Sequence, residues 1–318
     1  MRSLINSLIL SGLFIMGTAN AVTLSRVLNS NPNPNSDPCL IMDDVAQKVA
    51  DDKLELLSSG DSPHKAVIFV GGIHCNYTYF NEWVPYVSAP DSAVFGFNHD
   101  HQSETMTVAG HSLAQDILDL RAKGFDDITV IAHSMGGLVS KAALNELVRD
   151  GHANEFKQIQ LSTFGTPYGG FILADLALVL PGAEMVSKAI HLPMGPEMGP
   201  HSSFLKSLAM DWPANMEFNV YRGLQDTVST PETAATENRY AAITRHANTL
   251  ADLEETDHVG YRSENPKVLL AAKGEPVPGM TTVEIVRAEP GSKQSDSQAS
   301  ASNATEKVAQ NMEVAMSR

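Results

Sequence analysis

The chain alternates between short, uninterrupted apolar runs and longer segments whose apolar residues recur every three or four positions. We predict strands at Ala66–Val70, Ser92–Phe97 and Ile128–Ala132, because a strand buried on both faces shows no polar alternation. We predict helices at Met106–Lys123 and Met135–Val148, the first with Leu113, Ile117 and Leu120 on one face. Strands and helices that alternate at these lengths predict right-handed βαβ crossovers and a mainly parallel sheet.

Further elements are predicted on both sides of this central region. Strands are expected at Gln158–Phe164 and Met216–Tyr221, a helix at Asp43–Leu57, a short helix after His246 and a closing helix at Lys267–Ala272. The sequence therefore predicts an α/β fold with a mainly parallel sheet flanked by helices.

The N-terminus has the features of a signal peptide. Arg2 supplies a positive start, the residues from Leu4 to Met16 are mostly apolar, and Ala19-Asn20-Ala21 has the small-x-small form of a cleavage site. The apolar run is too short to span a bilayer comfortably. We expect residues 1–21 to be removed after Ala21 and the protein to be secreted or periplasmic.

Composition divides the remaining chain into three parts. Residues 22–60 form an N-terminal extension, in which Asn29–Pro38 is rich in Asn and Pro and predicts an extended linker. Residues 61–290 are long enough for one α/β domain with an insertion. Residues 291–318 are dominated by Ser, Gln, Ala, Asn and Lys, a composition typical of a disordered tail.

Charge excludes one class of partner. The formal net charge of the 318-residue chain is −15, whereas binding to nucleic acid requires clustered Lys and Arg. The run His99-Asp100-His101 suggests metal ligands, but adjacent side chains on an extended segment point in opposite directions. We therefore expect no metal site and interpret the run as a pair of loop histidines.

The strongest motif lies where a predicted strand gives way to a predicted helix. Residues 131–137 read IAHSMGG, with Ser134 between small residues at positions 132 and 136. A nucleophile elbow requires this context, because a strained turn lifts the serine above the sheet edge. The usual first Gly of Gly-x-Ser-x-Gly is replaced here by Ala132, which is small enough for the turn. Ser134 is the predicted nucleophile.

Two segments extend this motif to a family resemblance. AHSMGG at 132–137 resembles the nucleophile segment of bacterial lipases and esterases in the α/β-hydrolase superfamily. FGTPYGG at 164–170 is similar to the segment that follows the next strand in many lipases, and Val70-Gly71-Gly72 lies upstream as expected. The resemblance covers roughly Lys65–Leu270. It implies an α/β-hydrolase fold and acyl-ester hydrolysis without a cofactor.

A catalytic base and acid should follow the nucleophile in the order Ser, Asp or Glu, His. His258 resembles the lipase base in its loop position, and His246 is the second choice. Asp226 follows a predicted strand in a G-x-x-D-x-V pattern that is similar to the family's acid. A loop aspartate there can orient the histidine through Nδ1. Asp257 and Asp252 are the alternatives.

The oxyanion of an acyl-transfer intermediate needs two backbone N–H donors. The first is expected from Met135, directly after the nucleophile. The second is expected from Ile73, since Gly71-Gly72-Ile73 occupies the place of the lipase His-Gly-x loop. The missing histidine leaves open what supports this loop.

An insertion of about 45 residues, 171–215, is longer than a crossover needs. The resemblance implies a cap that lines the acyl site, and the Met-rich stretch suits irregular apolar ligands and contact with a lipid interface. A plain core helix explains Phe171–Leu180 equally well.

The chain has two cysteines, Cys39 and Cys75. Export would allow them to form a disulfide that joins the extension to the predicted oxyanion loop. Both free thiols and a bridge are compatible with the sequence, because spacing does not give geometry.

The leading functional hypothesis is hydrolysis of a lipid or other apolar acyl ester through an acyl-enzyme, as in triacylglycerol lipases and carboxylesterases. A phospholipase or an acyltransferase would use the same triad. A non-catalytic hydrolase-like binding protein is a third hypothesis, although such proteins usually lack the nucleophile or the base.

Overall fold

The computed structural model describes residues 54–72, 77–99, 104–170, 194–226, 237–253, 261 and 280–282. All of them fall within the first compact unit of the chain, Met1–Glu284. The predicted signal peptide, most of the extension, the closing helix, the tail and both cysteines lie outside the described residues.

The described strands form one eight-stranded sheet in the order β1-β3-β2-β4-β5-β6-β7-β8. Six strands from β3 to β7 run parallel, and the edge strands β1 and β8 are antiparallel to their neighbours. The strands are β1 Leu54–Ser59, β2 Lys65–Val70, β3 Ser92–Phe97, β4 Asp127–His133, β5 Gln158–Phe164, β6 Met216–Gly223, β7 Thr249–Leu253 and β8 Met280–Thr282. The mainly parallel sheet confirms the predicted α/β class.

Helices connect the parallel strands. The α-helices are α1 Val84–Val87, α2 Met106–Ala122, α3 Met135–Arg149, α4 Ser203–Ser207 and α5 Glu237–Thr244, and the 3₁₀ segments are Tyr77–Trp83, His152–Glu155 and Gly195–Met198. In the part of the chain described, no helix has the length and apolar character that crossing a bilayer demands. The sheet and its helices form a layered α/β domain.

Helices α2 and α3 pack closely against each other. The predicted apolar face of α2 is confirmed, since Leu113, Ile117 and Leu120 are all buried. A Cβ added to Gly110 would lie 3.0 Å from the Ala142 Cβ, so the small residue at 110 permits the close approach of the two helices. The Thr105 hydroxyl accepts a hydrogen bond from the Val108 N–H and caps the start of α2.

An aromatic cluster ties the segment after β2 to the sheet. The ring of Phe69 in β2 stacks on Phe80 of the 3₁₀ segment with centroids 4.9 Å apart. Trp83 meets Phe80 edge-on at 5.4 Å and Phe164 of β5 at 5.9 Å. Burying such large side chains stabilises the fold by roughly 1.5–3 kcal/mol each. The cluster therefore holds the segment Tyr77–Trp83, which follows the loop that begins at Gly71, against the sheet.

The predicted helix Asp43–Leu57 is wrong at its C-terminal end. Leu54–Leu57 belong to β1, which pairs antiparallel with β3 through Leu54↔Phe97, Glu55↔Gly96 and Leu56↔Phe95. Pairing with the otherwise open edge of β3 satisfies backbone groups that a local periodicity does not reveal. Tertiary pairing thus overrides the helical pattern.

A second correction concerns the segment after His246. The sequence predicted a short helix there, whereas Thr249–Leu253 form β7, parallel to β6 with Asn219↔Thr249 and Gly223↔Leu253 in register. The run TLADL is too short for its periodicity to separate the two structures. Helix α5 lies before His246 rather than after it.

Candidate active site

Ser134 lies at the turn between β4 and α3. Its backbone has φ 53° and ψ −128°, and among the described residues it is the only non-glycine with positive φ. The Ser134 N–H donates to the Phe164 carbonyl at 2.9 Å, and its carbonyl accepts from the Gly137 N–H at 3.1 Å. This strained strand-to-helix turn is the geometry of a nucleophile elbow.

Two glycines let the loop after β2 approach this turn. A Cβ on Gly136 would lie 2.3 Å from the Gly71 carbonyl oxygen, and a Cβ on Gly72 would lie 2.8 Å from the Ser134 Cβ. Ala132, which replaces the usual first glycine, is fully buried within β4. The elbow therefore tolerates Ala132 but has no room for a side chain at position 72 or 136.

The predicted oxyanion donors are partly described. Met135 is the first residue of α3, where backbone N–H groups have no acceptor within the helix and the helix dipole favours negative charge. Gly71 and Gly72 lie against Ser134, as the predicted loop requires. Ile73 lies outside the described residues, so its donor role stays a prediction.

His99 lies beside this loop. Its Nε2 is 3.4 Å from the Gly71 carbonyl oxygen, a long contact, and its buried ring stacks near Phe97 with centroids 6.0 Å apart. Because a carbonyl only accepts, the bond requires the proton on Nε2. No motif indicates this support, because it depends on β3 lying next to β2 in the sheet. The described residues contain no cluster of three metal-ligating side chains, and Asp100 and His101 lie outside them.

Asp226 lies just beyond the end of β6 and is 1% exposed. Its N–H donates to the Gly223 carbonyl at 3.1 Å, which forms a tight turn. The hydroxyl of Tyr261 donates to Asp226 Oδ2 at 3.0 Å and accepts from the Gly223 N–H. Burial, reinforced by the neighbouring Asp226, raises the pKa of Tyr261 well above its usual range, so the phenol remains a donor.

Gly165 connects the nucleophile to the acid. It follows Phe164, whose carbonyl holds the Ser134 N–H, and it has φ 57°. A Cβ at this position would lie 2.9 Å from Asp226 Oδ2 and 2.6 Å from the Tyr261 ring. Ser134 and Asp226 thus lie at the same carboxyl edge of the sheet, on either side of the end of β5. His258 lies outside the described residues, and its role as base stays a prediction.

The alternative base and acid, His246 and Asp252, each pair with another side chain. His246 Nδ1 lies 2.6 Å from Asp211 Oδ1, and both residues precede the first residue of their parallel strands, at the edge opposite Ser134. Asp252 forms a bidentate ion pair with Arg222, with Nη2 to Oδ2 at 2.9 Å. His246 is therefore on the side of the sheet opposite Ser134, Asp252 is bound by Arg222, and Asp257 lies outside the described residues.

The described part of the predicted insertion packs on α3. Asn145 of α3 donates to the carbonyls of Ser207 and Leu208 at 3.2 Å each, and it accepts from Trp212 Nε1 at 2.7 Å. Glu197 instead reaches the start of α2. Residues 171–193 lie outside the described residues, and a cap over the acyl site stays a prediction.

Comparison with known proteins gives a family match for part of the chain. Residues 61–194 match a family whose description is "Putative serine esterase (DUF676)". The matched part contains Ser134 and the Gly71-Gly72 loop and ends before Asp226. No curated protein matches the chain. Together the elbow, the mainly parallel sheet and its helices decide the architecture. The chain has the α/β-hydrolase fold.

Several solved structures are similar to this chain. The mature form of a Bacillus licheniformis lipase shares 17% identity over 65% of this chain and 91% of its own, with a TM-score of 0.46. An α/β hydrolase from the metagenome of Mar Chica lagoon sediments in Morocco shares 13% over 71% and 94%, with a TM-score of 0.46. A lipase-esterase related protein from Clostridium acetobutylicum shares 13% over 70% and 99%, with a TM-score of 0.44. The family match, together with the elbow, supports a serine hydrolase in general.

Proposed function

We propose that the protein is a serine hydrolase that cleaves carboxylic esters of lipid-like or other apolar acyl groups through an acyl-enzyme. The observation that carries the proposal is the backbone of Ser134, held at φ 53° between the end of β4 and the start of α3. Strain of this kind persists only where surrounding structure maintains it, and it concentrates at functional sites. Asp226, buried at the same edge of the sheet, supplies a group able to orient a base.

The proposed reaction has two steps. The Ser134 Oγ attacks the ester carbonyl carbon while His258 accepts its proton, and the backbone N–H groups of Met135 and Ile73 stabilise the oxyanion. His258 then protonates the leaving alcohol as the ester C–O bond breaks. Water, deprotonated by His258, attacks the acyl-enzyme, and the carboxylic acid leaves as Ser134 regains its proton. Asp226 holds the imidazole tautomer throughout and remains ionised.

The apolar acyl group is proposed from the sequence of the insertion. Phe171–Leu180 is strongly apolar, and the following stretch to Pro200 is rich in Met, Pro and Gly. Flexible methionines adapt to irregular apolar ligands. The same stretch is the proposed contact with a lipid interface, in an exported enzyme whose signal peptide ends at Ala21.

Covalent labelling tests the nucleophile. A fluorophosphonate probe should modify the wild-type protein, and Ser134→Ala should abolish both labelling and ester turnover. Ser140→Ala is the matched control, because Ser140 lies on α3 with its buried hydroxyl bonded to the Gly136 carbonyl at 2.7 Å. Labelling that persists in Ser134→Ala, located by peptide mass spectrometry, would contradict the assignment.

Steady-state kinetics test the other triad members. His258→Ala should lower kcat by orders of magnitude, about 10⁴-fold, with little change in KM, because the base acts in the transition state. Asp226→Asn should also lower kcat severely, though less. His246→Ala is the comparison, since its ring is bonded to Asp211 at the opposite edge. A fatal His246→Ala beside a harmless His258→Ala would show that the base is misassigned.

A panel of esters tests the substrate class. Esters whose acyl chains run from acetyl to palmitoyl should show kcat/KM rising towards the longer, apolar chains. Phospholipid substrates and added alcohol acceptors, with product analysis, separate ester hydrolysis from phospholipase and acyltransferase activity. A preference for charged or very short acyl groups would contradict the proposed substrate.

A further inference from the structure

We infer that Tyr261 is a positioning residue that holds the catalytic carboxylate of Asp226 through its phenolic hydroxyl. The inference rests on the proposed function, in which Asp226 is the triad acid. It adds a residue that sequence motifs do not indicate, since Tyr261 lies three residues beyond the predicted base and outside the usual triad.

The Tyr261 hydroxyl is fixed from two sides. It accepts a hydrogen bond from the Gly223 N–H at the end of β6 and donates one to Asp226 Oδ2 at 3.0 Å. The same short turn therefore supplies both the acid and the group that orients the hydroxyl. A phenol so restrained offers its hydrogen in one direction, towards the carboxylate.

The ring is as closely held as the hydroxyl. Tyr261 is 0% exposed, and its ring centroid lies 6.2 Å from that of Phe164 and 5.6 Å from that of His133, the residue before the nucleophile. Gly165 passes so close that a Cβ there would overlap both Tyr261 and Asp226. Packing of this density leaves the side chain no alternative rotamer without displacing its neighbours.

Burial explains why the acid needs such a partner. Asp226 is 1% exposed, and a buried carboxylate is costly unless hydrogen bonds replace its hydration. A donor at Oδ2 compensates part of the charge and restrains the orientation of the carboxylate. The second oxygen of a carboxylate oriented in this way can accept a hydrogen bond from the Nδ1–H of the base, and the carboxylate remains ionised. Tyr261 is thus positioned to determine how the acid meets the histidine.

The test begins with Tyr261→Phe, which keeps the ring and removes the hydroxyl. We expect kcat to fall roughly 10-fold or more, because a hydrogen bond to a charged group is lost, while KM changes less than about twofold. The sharper measurement is the double variant with Asp226→Asn. If Tyr261 acts through Asp226, Tyr261→Phe should cause no further loss of kcat in the Asp226→Asn background.

Tyr168→Phe is the matched control. Tyr168 is also fully buried, and its hydroxyl donates to Thr163 Oγ1 at 3.4 Å rather than to Asp226. Its kcat should match the wild type even though a buried hydroxyl is removed. All variants are compared below their denaturation midpoints, with near-UV circular dichroism confirming the native state.

A second variant keeps the inference testable should Tyr261→Phe fail to fold. Gly165→Ala should displace the Tyr261–Asp226 pair and give the same loss in kcat, again absent in the Asp226→Asn background. Wild-type kcat in folded Tyr261→Phe, or a full multiplicative loss in either double variant, would overturn the inference. A wild-type protein that neither reacts with fluorophosphonate nor turns over esters would instead refute the proposed function.

Discussion

At the scale of single residues, the backbone of Ser134 is strained. Its φ of 53° lies in a region that side chains with a Cβ seldom occupy. Such a conformation costs on the order of 1–3 kcal/mol and is retained here by hydrogen bonds to Phe164 and Gly137. The nucleophile is therefore held in place at the expense of stability.

This strain predicts an unusual order of stability. The free energy of unfolding of Ser134→Gly should exceed that of Ser134→Ala by about 1 kcal/mol, because glycine adopts positive φ without a Cβ penalty. Urea denaturation of the two inactive variants measures the difference. At Ser140, within α3, the order should reverse, since glycine in a helix interior is about 1 kcal/mol worse than alanine. Greater stability of Ser134→Ala would show that the turn is not strained.

The contact of His99 with Gly71 gives a kinetic prediction. His99→Phe keeps an aromatic ring beside Phe97 but loses the Nε2–H that faces the Gly71 carbonyl. We expect kcat to fall about 10-fold with little change in KM, because a small displacement of an oxyanion donor weakens transition-state binding. The 3.4 Å distance is compatible with this role, since such bonds often tighten during the reaction.

The comparison variants for His99 separate hydrogen bonding from packing. His99→Gln can place an amide N–H near the Gly71 carbonyl and should recover part of the activity. His152→Gln alters a histidine that is paired with Glu155 at the surface and should have no effect on kcat. Full activity in His99→Phe would mean that the loop is held without the imidazole.

At the scale of helices and strands, burial determined what could be predicted. The buried parallel strands β2 to β6, with helices α2 and α3, agree with the predicted elements to within two residues at each end. Helices were predicted where β1 begins and where β7 lies, and β8 was not predicted. Edge strands and short strands depend on a partner strand that the local pattern does not contain. Leu54–Ser59 illustrates this, with only partly buried or exposed side chains throughout.

The residues of the candidate site also fall into two groups, those with a local sequence signal and those that depend on tertiary contacts. The Ser134 elbow was predicted because its signal is local: a strand, small residues and a helix in succession. Asp226 was predicted from its place after a strand, and the structure puts it at the same sheet edge as Ser134. The contacts of His99 and Tyr261 were not predicted, because each depends on which strands are neighbours in the sheet. Local chemistry was thus predictable from the sequence, and the supporting contacts were not.

Glu197 contacts the first residues of α2. Its carboxylate accepts from the N–H groups of Met106 at 2.5 Å and Thr107 at 3.2 Å, and from the Thr107 hydroxyl at 2.5 Å. Glu197→Ala should lower the free energy of unfolding by about 1 kcal/mol, since it removes both a cap and a charge favourable to the helix dipole. Glu197→Gln should cost less, because it can still accept hydrogen bonds.

Thermal denaturation at low and high salt separates the two contributions of Glu197. The charge contribution should weaken as salt rises, whereas the capping contribution should persist. Glu155→Ala serves as the control, because Glu155 is half exposed and paired with a surface histidine. An effect of Glu197→Ala no larger than that of Glu155→Ala would mean that the contact does not stabilise α2.

At the scale of the whole molecule, the carboxyl ends and the amino ends of the parallel strands carry different residues. The carboxyl edge carries Gly72, Ser134, Gly165 and Asp226, each at the end of a parallel strand. The amino edge carries the Asp211–His246 pair. In open α/β sheets, ligands bind outside the carboxyl ends of the strands, because that is where loops from neighbouring strands converge. The proposed chemistry and this surface pair therefore occupy opposite sides of the domain.

Lys141 is a buried lysine that the proposed mechanism does not use. It lies on α3 with 0% exposure, and its Nζ is 3.6 Å from the centroid of the Trp212 ring and 4.5 Å from that of Phe218. Within the described part of the chain its amine has no hydrogen-bond partner. Burial holds the pKa of Lys141 well below its usual range, and the charge of Asp211 only partly offsets this.

Replacing Lys141 should therefore stabilise the protein in a pH-dependent way. Around neutral pH, Lys141→Met should raise the free energy of unfolding by about 1–2 kcal/mol, because it removes a buried amine that the aromatic rings only partly compensate. In the wild type, the unfolded lysine binds a proton that the folded one releases between its lowered pKa and about 10.4, so wild-type stability rises with pH in that window. The advantage of methionine should shrink accordingly as pH approaches about 10.

Urea denaturation across this range, with exposed Lys206→Met as the pH-independent control, measures the effect. A constant difference across the range, or a less stable methionine variant, would mean that Lys141 remains charged in the folded protein and is stabilised by its aromatic neighbours.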